Sequence, residues 1–419
     1  MHCWSRACLG QVKFQRYKCE FFVKPLLVKT FTTTTALGRG IAETLSALRA
    51  QRSGLQARSW ETVDIATCLG EVDGLDAMAL RADMQDFDCR NNRLAQLALE
   101  QDGFMQSVQT AAERYGRKRI GVFLGSSTSG ILSSEQAYRQ RDAVTGALPA
   151  SHSYRHTHNM FSVADFVRHY ADLQGPAYVV STACSSSAKV FGIAQRMIGC
   201  GLIDAAVVGG VDSLCLTTIY GFNSLQLVSS RPCMPYDALR DGISIGEGAA
   251  FLLLERADQA QTDDILLSGV GESSDAHHMS SPHPEGLGAR LAMQAALDMA
   301  GLPPASIGYI NLHGTATPSN DAAEDLGVTA VFGTTTPCSS TKGHTGHTLG
   351  AAGGVEAVIC ALALRHGFLP GGVGTRTPDP RLHCNYLFAN QERAITHALS
   401  NSFGFGGSNC SLLFSRKMA

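Results

Sequence analysis

Val180-Ser181-Thr182-Ala183-Cys184-Ser185-Ser186-Ser187-Ala188-Lys189-Val190 is the stretch from which the architecture of this chain can be read. Ala177–Ser181 has the pattern of a short buried strand. Small residues then make a sharp turn. Val190, Ile193, Ala194 and Met197 follow at the spacing of one helix face, which predicts a helix from near Cys184 to about Gly199. A thiol at a helix N-terminus meets unpaired N–H groups and the positive end of the macrodipole. Both favour the thiolate, which is the attacking species. The small neighbours leave room for an acyl group and for an oxyanion beside the Cys184 N–H.

The same strand, glycine turn and helix order recurs outward from this point. Pro25–Thr35 reads as a strand and Ile41–Arg49 as a helix. Ile120–Leu124 is a strand ending at Gly125-Ser126-Ser127. Ala205–Val208 ends at Gly209-Gly210, and Ala249–Leu254 closes the first half. Further on come strands at Ile265–Val270 and Ile307–Leu312, then helices near Asp321–Phe332 and Gly350–Arg365. Strands at Ala398–Asn401 and Ser411–Phe414 complete the chain. Such alternation predicts a layered α/β fold. Ser181-Thr182 and Ser340-Thr341 each precede a turn and a long helix, a faint internal echo. The polar run Asp258–Asp264 is the expected seam. The organisation predicted is an extension over 1–24, a first half over 25–260 carrying the cysteine, and a second half over 261–419 carrying the histidines.

Composition narrows the function classes. A net charge of −2 and the lack of a long basic block argue against nucleic acid. No unbroken apolar run approaches the roughly 18 residues of a membrane helix. The 13 cysteines are scattered without metal-type pairing, so free thiols in a reducing cytoplasm are expected. The first 24 residues are basic but lack the apolar core of a secretory signal. They read as a disordered arm or the product of an upstream start, with a transit-like leader as the other reading.

Two histidines stand apart from the chain's 14. His313 follows a strand in Ile310-Asn311-Leu312-His313-Gly314-Thr315-Ala316-Thr317. His347 lies at the mouth of an apolar helix in Lys342-Gly343-His344-Thr345-Gly346-His347. Most histidines are satisfied structural or surface residues. These two sit among glycines and threonines rather than on an amphipathic face. His344 reads equally as exposed or buried, and His152, His156, His158, His277 and His278 have no evident task. Glu356 falls inside the apolar helix after His347. A buried carboxylate needs a partner, and Lys342 or a histidine is expected to supply it. Finally, Asn401-Ser402-Phe403-Gly404-Phe405-Gly406-Gly407-Ser408-Asn409 places Phe405 between glycines, where it could swing as a gate. Its N–H could complete an oxyanion hole. Alone, that motif is a glycine-rich turn before a strand.

Thr182–Ser186, His313–Thr317, Lys342–Gly353 and Phe403–Asn409, in that order, resemble the β-ketoacyl-acyl-carrier-protein synthases of the thiolase superfamily. Asp241–Gly248 and Asp275–Pro282 agree, and the likeness covers roughly Leu26–Phe414. It implies a thiolase-like α/β fold of two related halves in a five-layered αβαβα arrangement. It also implies acylation of Cys184 from an acyl carrier protein, and stabilisation by His313 and His347 of the enolate formed as malonyl-ACP loses carbon dioxide. Lys342 and Glu356 match residues that organise the histidines. Thr315 and Thr317 match pantetheine contacts, with Phe403 and Ser280 also at the substrate site, and Phe405 matches the gate. No metal or organic cofactor is required. The resemblance implies a dimer formed through a strand near the nucleophile, here Ala177–Ser181, either with itself or with a chain-length-factor-like subunit.

More narrowly, Phe87–Ala98, Ser126–Ile131 and Ser213–Gly221 resemble synthases of bacterial aryl polyene clusters, which implies polyunsaturated intermediates. A thiolase would carry a second cysteine within Phe403–Asn409, whereas Cys410 follows that block. A chain-length partner would lack Cys184. A non-catalytic acyl-binding scaffold would leave Cys184 unreactive toward thiol reagents.

Overall fold

The computed structural model describes residues 24–57 and 59–418, so the expectation for the basic extension falls almost wholly outside the described residues. Two mixed sheets with the same internal order form the frame. In the first, Leu26–Thr35, Gly248–Arg256, Ala205–Asp212, Ile120–Gly125 and Ala177–Val180 lie side by side. In the second, Ile265–Ser274, Ser408–Arg416, His397–Gly404, Tyr309–Asn311 and Pro337–Ser339 follow in that order, with Asn385–Tyr386 beyond them. The directions match as well. The first two pairings in each sheet are antiparallel and the next two parallel. The sheets touch at one corner, where Leu26 and Leu27 pair with Leu267 and Leu266.

Alternation along the strands explains why there are five layers. Leu252 and Leu254 face a core shared with the helices Ser186–Gly199 and Ala352–His366, which lie between the sheets. Phe251 and Leu253 face outward onto Arg90–Leu99, Phe104–Tyr115 and Ser162–Tyr170. On the second sheet, Leu412 and Phe414 face the middle, and Leu413 packs toward Leu287–Ala300 and Pro318–Phe332. Strands buried on both faces read as continuous apolar runs, because a side chain pointing either way leaves water.

The helix Ala352–His366 is buried from Ala352 to Leu364. A helix enclosed all round needs no polar face, which accounts for its composition. The stretch Leu349–His366 is in fact long and apolar enough to cross a bilayer, contrary to the expectation from run lengths, but 89% of it is buried within the protein. Gly353 lets the two central helices meet. A Cβ there would lie 2.8 Å from the nitrogen and Cβ of Ala188. The approach of these helix starts brings Cys184 to His347. Among the predicted elements, the strand expected over Ile307–Leu312 is only Tyr309–Asn311. Its flanks are irregular but stay tied to the neighbouring strands, Gly308 N–H to the His397 carbonyl at 2.9 Å and Leu312 N–H to the Ser339 carbonyl at 2.8 Å.

Candidate active site

Cys184 sits on a turn tied by the hydroxyls around it. Ser186 Oγ donates to the Ala183 carbonyl at 2.6 Å and accepts from the Thr182 N–H at 2.9 Å. Ser185 Oγ donates to the Thr182 carbonyl at 3.0 Å. Ala183 is held at φ +51°, a left-handed conformation that is strained for alanine. The helix itself begins at Ser186, two residues later than the thiol. The expectation that the helix end would favour the thiolate is corrected here. Burial pushes the Cys184 thiol up to about 11, against the opposing pull of the Lys342 charge and of the nearby Phe405 N–H. Desolvation of an anion outweighs both, so the resting group is a thiol.

His347 Nε2 lies 3.0 Å from Cys184 Sγ. The ring is fixed from both sides. Its backbone bonds to Ser244 O and Gly246 N at 2.8 and 3.0 Å, and the Leu349 N–H donates to Nδ1 at 3.1 Å. An Nδ1 that accepts a hydrogen bond leaves the proton of the neutral ring on Nε2. His347 therefore points an N–H donor at the sulfur.

His313 is fixed by the same logic with different partners. Lys342 Nζ approaches its Nδ1 at 3.3 Å and donates to its carbonyl at 2.5 Å. An ammonium has no lone pair to offer, so Nδ1 accepts and Nε2 carries the proton. Burial pulls both histidines well below their ordinary 6.5, and the Lys342 charge adds to this. Both rings are neutral donors. They meet edge to face with centroids 5.4 Å apart, and the three ligand-type atoms of Cys184, His313 and His347 lie within 4.8 Å of one another. Cysteine, histidine and histidine is a plausible zinc set by composition, but a metal on Nε2 needs a lone pair where these hydrogen bonds leave a proton.

Lys342 and Glu356 form the expected buried pair, Nζ to Oε1 at 2.5 Å. Burial raises Glu356 to about 7, and the lysine opposes that rise. The sequence reading missed two other carboxylates. Glu324 accepts from the N–H groups of His313 and Gly314 at 2.8 and 2.7 Å and from Asn401 Nδ2 at 3.1 Å, so it clamps the end of the histidine's strand. Asp212 accepts from Ser126 Oγ, the Ser127 and Thr128 N–H groups and the Gly350 N–H, at 2.6 to 2.9 Å. It joins the turn after Ile120–Gly125 to the segment just past His347. Asp212 ends the apolar run Ala205–Val211, the kind of signal that exposed Glu356, whereas Glu324, among Asp321 and Asp325, carries no such signal.

One pocket opens onto these groups. Thr315, Thr317, Phe403, Phe405 and Ser280 all line it with Cys184, His313 and His347, so every predicted substrate contact is at this place. Thr315 and Thr317 share a hydrogen bond of 2.9 Å. Phe405 packs on Phe222, centroids 5.6 Å apart. His344, left open by sequence, is buried, with its ring nitrogens 2.9 and 3.0 Å from the carbonyls of Arg52 and Gly371. Cys410 is fully buried on its strand and does not line the pocket.

Comparison with known proteins agrees with this arrangement. Residues 25–260 match the family described as Beta-ketoacyl synthase, N-terminal domain, and residues 266–375 match Beta-ketoacyl synthase, C-terminal domain. The 3-oxoacyl-[acyl-carrier-protein] synthase 2 of Vibrio cholerae is 35% identical over 336 residues, 76% of this chain and 80% of that protein. The mitochondrial 3-oxoacyl-[acyl-carrier-protein] synthase of Arabidopsis thaliana is 40% identical over 260 residues, 58% of this chain and 56% of the relative's length. Among solved structures, the ketosynthase ApeO of Xenorhabdus doucetiae, in complex with its chain length factor ApeC, superposes with a TM-score of 0.86 at 40% identity. That match covers 94% of this chain and 98% of the other.

Proposed function

The chain belongs to the β-ketoacyl synthase family, as a 3-oxoacyl-[acyl-carrier-protein] synthase, and from that premise we propose how its residues divide the work and which pathway it serves. Cys184 takes the acyl group. Its sulfur bonds to the thioester carbon, the bond to the pantetheine sulfur breaks, and the thiol proton leaves with the pantetheine. The attacking sulfur is the thiolate, so the proton leaves Sγ as the new bond forms and ends on the departing pantetheine sulfur. In the second half-reaction malonyl-ACP loses carbon dioxide. The enolate oxygen then lies where His313 and His347 present Nε2–H donors, and the carbanion attacks the acyl carbon on Cys184: the new carbon–carbon bond forms, the bond to Sγ breaks, and the sulfur leaves as thiolate and regains a proton from solvent. Neutral donors fixed before charge appears stabilise the transition state more than the ground state, which is what raises rate. The Phe405 N–H, beside the sulfur, holds the oxyanion of the tetrahedral intermediate with that of Cys184. Lys342 and Glu356 keep His313 in its donor tautomer. The observation that carries this reading is the pair of accepting Nδ1 atoms, which aim both rings as donors into one pocket.

The likeness to ApeO, at 40% identity, supports placement in aryl polyene biosynthesis with conjugated acyl intermediates. That relative is in complex with a chain length factor, which supports a heterodimer here. Among the described residues the strand Ala177–Val180 is the edge of its sheet, with Tyr178 52% exposed, and its outer ladder supports pairing with such a partner. A reducing cytoplasmic location fits the free thiols among the described cysteines. Incubation with malonyl-ACP and a panel of acyl-ACPs, followed by mass analysis, tests the reading. Extension of conjugated enoyl chains supports it. Extension of saturated chains alone removes the aryl polyene assignment and leaves the condensing activity.

A further inference from the structure

Asp212 ends the strand Ala205–Asp212 with its carboxylate fully buried and, among the described residues, without an ion-pair partner. After burial, and together with Glu356, its charge is among the causes that push the Cys184 thiol up. A negative group so placed does not help a site that must carry negative charge, so its work lies in what it holds. Both oxygens accept from backbone N–H groups: Oδ1 from Ser127 and Thr128 at 2.8 and 2.9 Å, and Oδ2 from Ser127 at 3.0 Å and Gly350 at 2.6 Å. The hydroxyls of Ser126, Ser127 and Thr128 donate to the same two atoms.

The bond to Gly350 matters because of the residue before it. Leu349 is held at φ +52°, a left-handed conformation that a leucine rarely keeps without outside support. Support comes from both sides. His347 is anchored through its backbone to Ser244 and Gly246, and Gly350 is anchored to Asp212. Leu349 bridges the two anchors, and its N–H is the donor that His347 Nδ1 accepts at 3.1 Å. The clamp is tight. A Cβ on Gly350 would lie 2.8 Å from Asp212 Oδ2 and 2.9 Å from the Ser127 nitrogen. We infer that Asp212 is a positioning residue for His347: by fixing the Gly350 peptide it locks Leu349 in the left-handed turn whose N–H keeps the imidazole proton on Nε2. Asp212 touches no reacting atom and acts through Gly350 and Leu349. The inference rests on the reading above, in which His347 works as a neutral Nε2–H donor.

Two variants test it in the whole protein. Asp212→Asn keeps the shape and turns one accepting oxygen into an NH2 that faces N–H groups. Gly350→Ala breaks the same contact without changing charge, and serves if the first variant fails to fold. Nitrogen-15 NMR of the His347 ring reads the tautomer, and carbon dioxide release from malonyl-ACP reads the donor. In each variant the His347 signal is expected to change from a single Nε2–H form to a mixture of tautomers. Decarboxylation is expected to slow about tenfold, the scale of one hydrogen bond. Acylation of Cys184 is expected to persist in both, since no group that touches the sulfur is altered. An unchanged Nε2–H signal in a folded variant, or acylation that falls as far as decarboxylation, overturns the inference. A wild-type ring that is cationic or protonated on Nδ1 would instead strike the functional reading, and this inference with it.

Discussion

His347 and Leu349 are joined within one turn: the Leu349 N–H donates to His347 Nδ1 at 3.1 Å and so fixes the proton of the imidazole on the nitrogen that faces Cys184. A ring so arranged is a poor base toward the thiol and a good donor toward an enolate. His313 reaches the same state through Lys342. The site is thus built to stabilise negative oxygen rather than to remove a proton from sulfur.

That division is separable by mutation. His347→Ala should still become acylated at Cys184, seen as an acyl adduct by intact-protein mass, while decarboxylation of malonyl-ACP falls by about 10²–10³, the usual cost of losing one preorganised donor. Normal condensation by this variant would refute the assignment.

Cys184→Ala should give the converse. No acyl adduct forms, and carbon dioxide is still released from malonyl-ACP, because both imidazole donors remain. A variant that neither acylates nor decarboxylates, yet folds, would tie the two half-reactions together more closely than this account allows.

The pH dependence follows from burial. Desolvation, then the charge of Lys342, pulls both histidines well below 6.5. As pH falls through 6.5, an ordinary exposed histidine gains a proton, but these do not. The two rings should therefore contribute no loss of decarboxylation as pH drops from 8 to about 6; the step expected in that window is the one near 7, where Glu356 beside Lys342 and Glu324 beneath His313 gain protons. A further loss with its midpoint near 6.5 would show that the rings titrate as if exposed.

Glu324 offers a stability test. Glu324→Ala strips the acceptor from the buried N–H groups of His313 and Gly314. Each donor left unsatisfied costs about 1–3 kcal/mol, so the melting temperature should fall, with kcat falling more than KM rises because His313 loses its anchor. An unchanged melting temperature would mean that the clamp contributes little.

Much of this site was legible in the chain. Cys184, His313 and His347 each follow an apolar strand or turn and sit among small residues, and Glu356 in an apolar helix called for a buried partner, Lys342 or a histidine, which the structure shows to be Lys342. The strand order repeated in the two sheets was audible only as the echo between Ser181-Thr182 and Ser340-Thr341. Tertiary effects were not legible. The protonated state of Cys184 depends on how many groups exclude water around it, which local spacing does not encode. The work of Asp212 depends on Ser126, Thr128 and Gly350, remote in sequence and joined only by folding. The burial of His344 likewise depends on carbonyls from Arg52 and Gly371.

The central claim is that both catalytic imidazoles are neutral and carry their proton on Nε2. Nitrogen-15 NMR of histidine-labelled protein at pH 7 tests it, with His313→Gln and His347→Gln to assign the signals. The account predicts a protonated Nε2 and an unprotonated, hydrogen-bonded Nδ1 for each ring. An imidazolium at either position, or the opposite tautomer, would contradict it.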